Sequence, residues 1–528
     1  MRWTFIPYIE DSTANPTFKR LLEKDERLAS LVTGFPHFSE LKKLADKRAM
    51  QASHRAILVD ELLRQNSRTA SESSLANIEA LRSQSTFSVT TGHQLNIFSG
   101  PAFFIYKIAH TISLANELTA KLENNQVVPI YWMASEDHDL EEINHFYAYK
   151  EKLLWDEPYA GAVGRMPVAK LNSVLQQWKE VMRWEDENPR YQLFSSYVKQ
   201  DNLAEATRFL VNELFGKHGI VVLDADSKEL KSLFVPNMVQ EITERAGQKE
   251  LSTLENYLEE VYLKTQIHAR DINLFYLTEQ DRLRLTHEGD EVVTVGGAHR
   301  WTKDELLVQL AEHPDRFSPN VVLRPVYQEV ILPNLAYIGG PGELSYWLQL
   351  KPLFDRMNVS YPVLMPRNGA TILAAHQVKK LNKLNIDVQA LKGREEDVIS
   401  KWVEENKQVE VSLNEQKSEL ASLFKKVQSQ LETVDKSLAK KGEGALVRSQ
   451  KELEGLEKAM ERAVKSKNDV AINQLIALKN NLFPEGSPQE RHQTYFALEA
   501  AIGGAIIDEL VANFPPFNSG MNIISPEF

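Results

Sequence analysis

The sequence SVTTGHQLNIFSGP, Ser88–Pro101, decides the fold of this chain. A β-prone run, Thr86–Thr91, ends in a polar turn at Gly92–Gln94, and Pro101 then opens a long helical pattern. Proline is favoured at the first helical position, because its missing N–H leaves no bond unmade there. A strand therefore leads through a glycine-containing loop into a helix N-terminus. The free N–H groups and positive dipole end of such a helix bind phosphates and carboxylates.

Further apolar runs end in loops of the same kind. Val127–Ala134 precedes the charged loop Glu136–Asp139, and Leu335–Ile338 precedes the glycine-rich loop Gly339–Glu343. Tyr361–Pro366 is another predicted strand. The helix between the first two strands makes a βαβ unit, which implies parallel strands and a right-handed crossover. The pattern predicts an α/β fold with a parallel sheet.

The segment from about Phe146 to Ser318 differs in its sequence pattern from the segments on either side of it. It contains Ile220–Asp224, Phe275–Leu277 and a hairpin-like run from Arg282 to Val295. We interpret it as an inserted α/β domain, because an insertion is tolerated where both of its ends lie in loops. The predicted divisions are 1–145 for N-terminal helices and the first half of the core, 146–318 for the insertion, 319–375 for the second half of the core, 376–482 for coiled-coil helices, and 483–528 for a segment that packs back on the core.

A heptad stripe marks the C-terminal region. Its apolar residues are Phe424, Val427, Leu431, Val434 and Leu438, and then Leu446, Leu453, Leu456, Met460 and Ala463. This spacing is typical of helices that pack through a coiled-coil seam. The break at Lys440–Gly444 predicts an antiparallel hairpin with its turn at Gly442–Gly444. Two arrangements fit this hairpin: a homodimer with a second copy of the chain, or a self-contained two-helix arm.

Composition narrows the class of protein. The chain has 528 residues, of which 43% are hydrophobic and 25% charged, with a net charge of −12 and no cysteine. This balance is typical of a globular chain with two or more domains. The acidic charge argues against a broad nucleic-acid surface. The absence of cysteine excludes disulfides, zinc–thiolate sites and cysteine nucleophiles.

Several familiar sequence signals are missing. No apolar stretch approaches the ~18 residues of a membrane span, and the first residues are too polar for a signal peptide. We therefore expect a soluble, cytoplasmic protein without membrane or nucleic-acid partners. The sequence also lacks a GxxxxGK[ST] phosphate loop, a GxSxG elbow, and a GxGxxG spacing after the first strand. This argues against P-loop ATPases, serine hydrolases and ordinary dehydrogenases.

The loops after the predicted strands form the candidate site. In an open parallel sheet, ligands bind outside the carboxyl ends of the strands, so the three loops Gly92–Gln94, Glu136–Asp139 and Gly339–Glu343 should converge. Each loop alone is compatible with turn chemistry, whereas three at one edge favour a nucleotide-type site. The glycines of the third loop favour close backbone approach to a ligand. Glu343 is placed either to accept ribose hydroxyls or to interact with the helix dipole.

Two charged segments each allow more than one interpretation. Glu136–Asp139 contains metal-ligand side chains, but adjacent residues rarely point at one ion, which favours a hydrogen-bonded network or binding of a substrate amine. His138 is alternatively a neutral residue that joins two loops. Arg324, Tyr327 and Gln328 lie in a strand-like segment. A buried arginine there needs a carboxylate, supplied either by an internal salt bridge or by a substrate that it binds bidentately.

Five longer segments form a recognisable set. They are TTGHQLNIFSGPAFFIYK (Thr90–Lys107), YWMASEDHDLEEINH (Tyr131–His145), SPNVVLRPVYQEVILPNLAYIGGPGELSYW (Ser318–Trp347), PVLMPR (Pro362–Arg367) and NLFPEGSPQER (Asn481–Arg491). Together they resemble the BshC family, the cysteine ligases of bacillithiol biosynthesis, in order and nearly end to end. The resemblance implies a Rossmann-like core related to class I aminoacyl-tRNA synthetases, a connective-peptide insertion, and a C-terminal coiled coil that dimerises.

The resemblance also implies a place for each loop. Gly92–Gln94 stands where class I synthetases carry their HIGH signature, and it keeps one of the two histidines. Gly339–Glu343 stands where they hold adenosine. Arg367 stands near their KMSKS loop, although no lysine-rich motif follows it. The zinc with which cysteinyl-tRNA synthetases select cysteine has no cysteine ligand here.

The implied reaction joins the carboxylate of cysteine to the amine of glucosaminyl-malate. The expected route is an adenylate from ATP, followed by amide formation and release of AMP. His93 and Arg367 would stabilise phosphate charge, Glu136 or Asp137 would orient the cysteine ammonium, and Arg324 would hold malate.

The predicted site residues fall into three groups, with no metal ligand among them. The catalytic group is His93, Gln94 and Arg367; the substrate group is Glu136, Asp137, His138, Asp139, Asn144, Arg324, Tyr327 and Gln328; the nucleotide group is Gly92, Gly100, Lys107, Gly339, Gly340, Gly342 and Glu343. Two other functions fit the same sequence. One is an enzyme of this fold that acts on another amine or amino acid, and the other is a non-catalytic, nucleotide-binding dimeric scaffold.

Overall fold

The computed structural model describes residues 1–261, 264–406 and 412–527. The chain forms two compact units: residues 1–374 with 490–528, and residues 375–489. The finer domain boundaries drawn from the sequence stay predictions. None of the described helices is long and apolar enough to cross a membrane.

The strands are short, and all those described lie in the first unit. They are β1 (Arg2–Pro7), β2 (Thr86–His93), β3 (Gln126–Met133), β4 (His145–Ala148), β5 (Glu151–Leu154), β6 (Val221–Asp224), β7 (Leu274–Leu277), β8 (Arg282–Glu288), β9 (Glu291–Thr294), β10 (Arg300–Thr302), β11 (Phe317–Pro319), β12 (Asn334–Gly339), β13 (Val363–Pro366), β14 (Gly369–Ile372) and β15 (Gly520–Ser525).

The helices connect and cover these strands and make up most of the second unit. They are α1 (Pro16–Leu22), α2 (Phe38–Ala45), α3 (Ala52–Asn66), α4 (Glu72–Ala80), α5 (Phe103–Lys121), α6 (Leu140–Ile143), α7 (Leu171–Met182), α8 (Pro189–Tyr197), α9 (Leu203–Phe215), α10 (Lys228–Glu244), α11 (Ala246–Glu260), α12 (Lys303–Glu312), α13 (Arg324–Ile331), α14 (Pro341–Arg356), α15 (Ala375–Leu384), α16 (Glu395–Asn406), α17 (Asn414–Val434), α18 (Lys436–Lys467), α19 (Asp469–Leu482), α20 (Gln489–His492), α21 (Tyr495–Ile502) and α22 (Ile507–Asn513).

A parallel five-stranded sheet forms the centre of the first unit. Its strand order is β13-β12-β2-β3-β6, and each neighbouring pair is parallel. The order reverses between β2 and β12, so that this is the switch point at which doubly wound sheets bind their ligands. The predicted Rossmann-like parallel core is confirmed. The fold thus brings the Gly92 and Gly340 loops to one edge.

The predicted βαβ unit is confirmed as β2–α5–β3. All of β2 except its last residue is buried, as expected for a parallel strand that is covered on both faces. Pro101 lies two residues before α5, whose residues from Phe104 to Ala115 are all buried. This helix therefore packs into the core along most of its length and fixes the loop that precedes it.

Two local predictions are corrected. Ile220–Asp224, expected in the inserted domain, contributes β6 to the central sheet beside β3. The segment that looked strand-like around Arg324 is the helix α13. Pro325 stands in the first turn of this helix, where a proline is compatible with helical structure. The β-branched residues before the helix gave the misleading strand-like pattern.

The described residues form three further sheets, of which the smallest is the antiparallel pair β4-β5. The predicted strand Phe275–Leu277 and the hairpin after Arg282 are confirmed in an antiparallel sheet with the order β10-β9-β8-β7-β11. A three-stranded sheet, β1-β15-β14, joins the two ends of the chain. Near the C-terminus, Gly503 ends α21 with φ +80°, and α22 follows.

The second unit contains the predicted antiparallel helical hairpin, but its turn lies elsewhere. Helices α17 and α18 meet at Asp435, and Gly442 and Gly444 lie within α18. A Cβ on Gly442 would stand 3.1 Å from a methyl group of Leu431. This glycine therefore allows close packing of the two helices and does not mark their turn.

Candidate active site

A cavity of about 1250 Å³ opens at the carboxyl edge of the central sheet. The three predicted loops converge on it, as expected. The predicted site residues that line it are Gly92, His93, Gln94, Lys107, Glu136, Asp137, His138, Arg324, Gly340, Gly342, Glu343 and Arg367. Those that do not are Gly100, Asp139, Asn144, Tyr327, Gln328 and Gly339.

Lys107 and Glu343 form a buried ion pair at the switch point. The Lys107 ammonium lies 2.9 and 2.7 Å from the two carboxylate oxygens and also donates to the Gly92 carbonyl. Glu343 further accepts hydrogen bonds from the Gly340 N–H at 2.9 Å and the Tyr337 hydroxyl at 2.7 Å. Although burial raises it, these partners hold the pKa of Glu343 at about 2. The pair therefore joins the β2 loop to the β12 loop.

His93 is held as a neutral ring. Its Nδ1 lies 2.8 Å from the Gln94 carbonyl oxygen, which can only accept, so Nδ1 carries the proton. The ring packs against Phe103 and Phe104, with centroid separations of 5.0 and 5.2 Å. Burial, with Lys107 nearby, lowers the pKa of His93 to about 4. The donor role on phosphate predicted for His93 would require a proton on Nε2 as well, and that role stays a prediction.

Glu136 is already paired by the protein. Its carboxylate lies 2.6 Å from the ammonium of the buried Lys231, which also contacts Asp226 at 3.1 Å. Arg165 binds Asp226 from the other side at 2.7 Å. Glu136 therefore lines the cavity as the end of a chain of ion pairs that continues through Lys231, Asp226 and Arg165. Within the described part of the chain, no group of three or more acidic or histidine side chains is arranged to hold a metal ion.

The carboxylate of Asp137 is more exposed than that of Glu136. It accepts hydrogen bonds from Gln94 at 3.0 Å and from the His138 amide at 2.8 Å, and it lies 3.6 Å from Arg282. Burial raises its pKa, but these donors lower it to well below the usual range, so Asp137 is ionised. Arg282 also lies over the Phe275 ring, 4.0 Å from its centroid, and 3.1 Å from Nδ1 of His138. Asp137 is thus a fixed negative charge on the cavity wall.

Arg324 presents its guanidinium to the cavity from the start of α13. Its Nη1 donates to the Gln328 side-chain oxygen at 3.1 Å. The guanidinium also lies 5.7–5.8 Å from the ring centroids of Trp132, Tyr337 and Trp347. The structure shows no ion pair between Arg324 and a carboxylate of the described residues, so the internal salt bridge considered from the sequence is not formed. Its role as a carboxylate clamp stays a prediction.

Arg367 and Glu490 form a second buried ion pair. Both side chains are 3% exposed, and Glu490 also accepts a hydrogen bond from the Ala370 amide at 3.0 Å. Arg367 lies over the Phe103 ring, 5.1 Å from its centroid, and Arg491 lies 5.8 Å from the same ring. Burial alone would lower the pKa of Arg367, but the Glu490 carboxylate raises it by more. The net effect is a raised pKa, so this guanidinium is permanently charged. The C-terminal segment thus supplies part of the cavity wall.

The predicted residues outside the cavity have structural contacts. The Tyr327 hydroxyl donates to the Ala225 carbonyl at 2.9 Å, and Gln328 donates to Glu329 at 2.8 Å, both within the core. Gly100 has φ +58°, and a Cβ there would meet Asn96 at 2.5 Å, so its role is in the turn before α5. Tyr327 and Gln328 are the fourth and fifth residues of α13, and both are buried. Their predicted role in substrate binding stays a prediction.

Several cavity residues were not predicted as site residues. They are Phe103, Trp132, Arg270, Arg282, Arg284, Tyr337, Tyr346 and Arg491. Arg491 ends one of the segments that carry the family resemblance, which was the available signal. The arginines of β8 and the preceding segment carried none, because only the packing of the antiparallel sheet brings them to the edge of the parallel sheet.

The cavity is strongly basic although the chain is acidic. Among the described residues, the cavity is lined by seven Lys and Arg side chains and three carboxylates, namely Lys107, Arg270, Arg282, Arg284, Arg324, Arg367 and Arg491 against Glu136, Asp137 and Glu343. Each of those carboxylates lies in an ion pair with a basic side chain. This excess of basic side chains on the cavity wall, in a chain whose net charge is −12, fits an anionic ligand.

Comparison with known proteins identifies relatives of the whole chain. The family model described as "Bacillithiol biosynthesis BshC, N-terminal Rossmann-like domain" matches residues 1–368, and "Bacillithiol biosynthesis BshC, C-terminal coiled-coil domain" matches residues 370–526. A protein of Christiangramia forsetii named "Putative cysteine ligase BshC" is 37% identical over 98% of both chains. Proteins of the same name from Flavobacterium johnsoniae and Flavobacterium psychrophilum are 36% and 38% identical, over 96% and 95% of this chain and 96% of each of theirs. The chain therefore belongs to the BshC family of bacillithiol biosynthesis.

Proposed function

We propose that this chain is a ligase that joins the carboxyl group of cysteine to the amine of glucosaminyl-malate, with ATP as the activating substrate. The name of its relatives supports an amide-forming ligase with cysteine as a substrate. A carboxylate does not react with an amine until its oxygen becomes a leaving group, and ATP supplies that group. Because ATP and cysteine are cytoplasmic metabolites, we also infer a cytoplasmic enzyme.

The excess of basic side chains on the cavity wall is the observation that carries the proposal. Both the phosphates of ATP and the malate carboxylates of the acceptor are anions. Arg367 lies beside the glycine loop, 3.7 Å from where a Cβ on Gly340 would stand, and Lys107 and Arg491 line the same cavity. Backbone approach at this loop suits a phosphate. Arg324 lines the cavity from the start of α13 and suits a carboxylate. Asp137 supplies the negative charge that an ammonium group needs.

Product formation tests the proposal directly. Purified protein with cysteine, glucosaminyl-malate and ATP is expected to form bacillithiol and AMP in equal amounts, measured by mass spectrometry. Preference for a different amine would assign the site to another ligase of this fold. ATP binding without turnover would favour a scaffold. Absence of product with every nucleotide tested would contradict the proposed reaction.

A pair of glycine variants tests whether this cavity holds the nucleotide. Gly340 has φ −78°, and a Cβ on it would meet its nearest atoms at 3.4 and 3.7 Å, which is ordinary contact. Gly340→Ala is therefore the folded control. Gly340→Val adds two further methyl groups at the cavity wall and should weaken ATP binding in calorimetry.

We also propose that the chain is a homodimer through the hairpin of α17 and α18. Helix α17 fully buries none of its residues. Apolar side chains of the hairpin remain exposed, among them Val434 at 76% and Leu456 at 58%. A second copy of the same hairpin would cover this surface, as coiled-coil helices do.

Charged substitutions should dissociate this dimer. Val434→Glu or Leu456→Glu is expected to weaken association about tenfold or more, the cost of losing one buried apolar side chain. Val470→Glu is the matched control, because Val470 is 71% exposed but lies on α19 outside the hairpin. Sedimentation velocity at micromolar concentration measures the result. A wild-type monomer would contradict the proposed dimer.

A further inference from the structure

The orientation of His93 leaves one ring nitrogen available to the cavity. Nδ1 donates its proton to the Gln94 carbonyl at 2.8 Å, so in the neutral ring Nε2 carries a lone pair. Nε2 has no hydrogen-bond partner among the described residues. It is also not one of their side-chain atoms that are both fully buried and without a hydrogen-bond partner. The residue lines the cavity. Contacts with Phe103 and Phe104 fix the plane of the ring.

The charges around His93 keep the ring neutral. Lys107 of α5 and Arg367 after β13 oppose a positive charge on the ring, and Glu343 of α14 favours one. Burial is the larger effect, and Glu343 is already bound by Lys107. An imidazole in these surroundings accepts a hydrogen bond through Nε2 but does not donate one from that atom.

The other candidate proton acceptors of the cavity are occupied. Asp137 and Glu343 lie in ion pairs that lower the pKa of each carboxyl group, which weakens them as bases. Burial raises the pKa of Glu136, but its carboxylate is bound by the ammonium of the buried Lys231. His138 accepts a hydrogen bond from Arg282 through Nδ1, so its Nε2 carries the proton when the ring is neutral. His268 lies 3.3 Å from Glu255 and is 70% exposed. His93 alone combines a free acceptor nitrogen with a position between the β2 and β12 loops, among the described residues.

We propose that Nε2 of His93 is the general base of amide formation. This inference rests on the proposed function. The amine nitrogen of the acceptor attacks the cysteine carboxyl carbon, which is activated as a phosphoric anhydride. The new C–N bond forms, the C–O bond to the phosphate breaks with its electron pair, and the proton lost by the amine passes to Nε2. A neutral base suffices, because the nitrogen becomes strongly acidic as its bond to carbon forms.

Separate measurement of the two half-reactions tests this role. Cysteine-dependent exchange of labelled pyrophosphate into ATP reports activation, and a single turnover with glucosaminyl-malate reports amide formation. His93→Gln places an amide oxygen near the position of Nε2, which accepts hydrogen bonds but not protons. We expect exchange within a few-fold of wild type and amide formation slower by about 10²–10⁴-fold. His313→Gln, outside the cavity, is the control for replacing a histidine.

Chemical rescue adds a measurement that would give no recovery if His93 had only a structural role. His93→Ala leaves a space in which added imidazole can take up the proton, so imidazole should restore amide formation in this variant but not in His93→Gln. Exchange and amide formation falling together would overturn the proposal and assign His93 to the phosphate. Amide formation at the wild-type rate would overturn it too. Absence of both reactions in wild type would instead overturn the proposed function.

Discussion

Replacing Glu490 with Gln should lower the free energy of unfolding by about 3–5 kcal/mol, a large share of the stability of a typical domain. Arg367 and Glu490 are both almost completely buried and in direct contact. The variant keeps the shape of the side chain but leaves the Arg367 guanidinium in the core without the carboxylate that it contacts. Urea unfolding followed by circular dichroism measures the loss. Ligand binding should fall as well, because Arg367 lines the cavity.

A double-mutant cycle shows whether the loss comes from this pair. Arg367→Met alone should cost a similar amount, and the double variant should cost less than the sum by up to about 3 kcal/mol. Glu79→Gln is the control, since it breaks the exposed pair with Arg82 and should cost less than about 1 kcal/mol. Additive losses would mean that the two side chains do not stabilise each other.

The parallel core was predictable from local signals. The β2 loop carries glycine and proline at positions where the chain must leave a strand and start a helix, and α5 carries a long apolar pattern. These features depend on residues close in sequence. By contrast, β6 is only four residues long, and its place beside β3 depends on contacts between distant segments. The apolar run before α13 has the composition of a buried strand, and periodicity does not separate the two over so short a length.

The hairpin of the second unit shows the limit of reading glycine as a turn signal. Gly442 and Gly444 interrupt the heptad pattern, which predicted a turn there. The helix continues through them, and a Cβ on Gly442 would stand only 3.1 Å from Leu431 of the facing helix, so this glycine suits close packing. Asp435, where the chain does turn, has extended backbone with φ −160° and ψ +130°. Close packing and chain reversal both favour glycine, and a single sequence does not distinguish them.

The candidate site was predictable in position but not in charge pattern. The rule for parallel sheets identified the loops, and those loops do line the cavity. The partners of their charged side chains come from elsewhere: Lys231 from α10, Arg282 from β8 and Glu490 from the C-terminal segment. These pairings decide that Glu136 is occupied and that Arg367 is fixed. No local pattern encodes them, since each joins residues far apart in the chain.

Glu343→Gln should destabilise the protein by about 3 kcal/mol at neutral pH, and this loss should disappear in acid. Burial raises the pKa of Glu343, but Lys107, the Gly340 N–H and the Tyr337 hydroxyl hold it at about 2, below the ordinary value for a glutamate. A carboxyl group with a lowered folded-state pKa stabilises the fold fully above its ordinary pKa. That contribution is lost as the pH falls from about 4.5 towards about 2.

Urea unfolding of wild type and Glu343→Gln at a series of pH values checks this dependence. The difference between the two proteins should be constant from pH 7 to about 5 and shrink below that, while the difference for Glu79→Gln stays small throughout. Comparing a variant with wild type at each pH cancels the titration of the other carboxylates. A difference that persists unchanged into the lowest pH at which both proteins fold would mean that Glu343 is not an ionised partner of Lys107. In that case the link between the β2 and β12 loops would be a hydrogen bond from Lys107 to a neutral carboxyl group and not an ion pair.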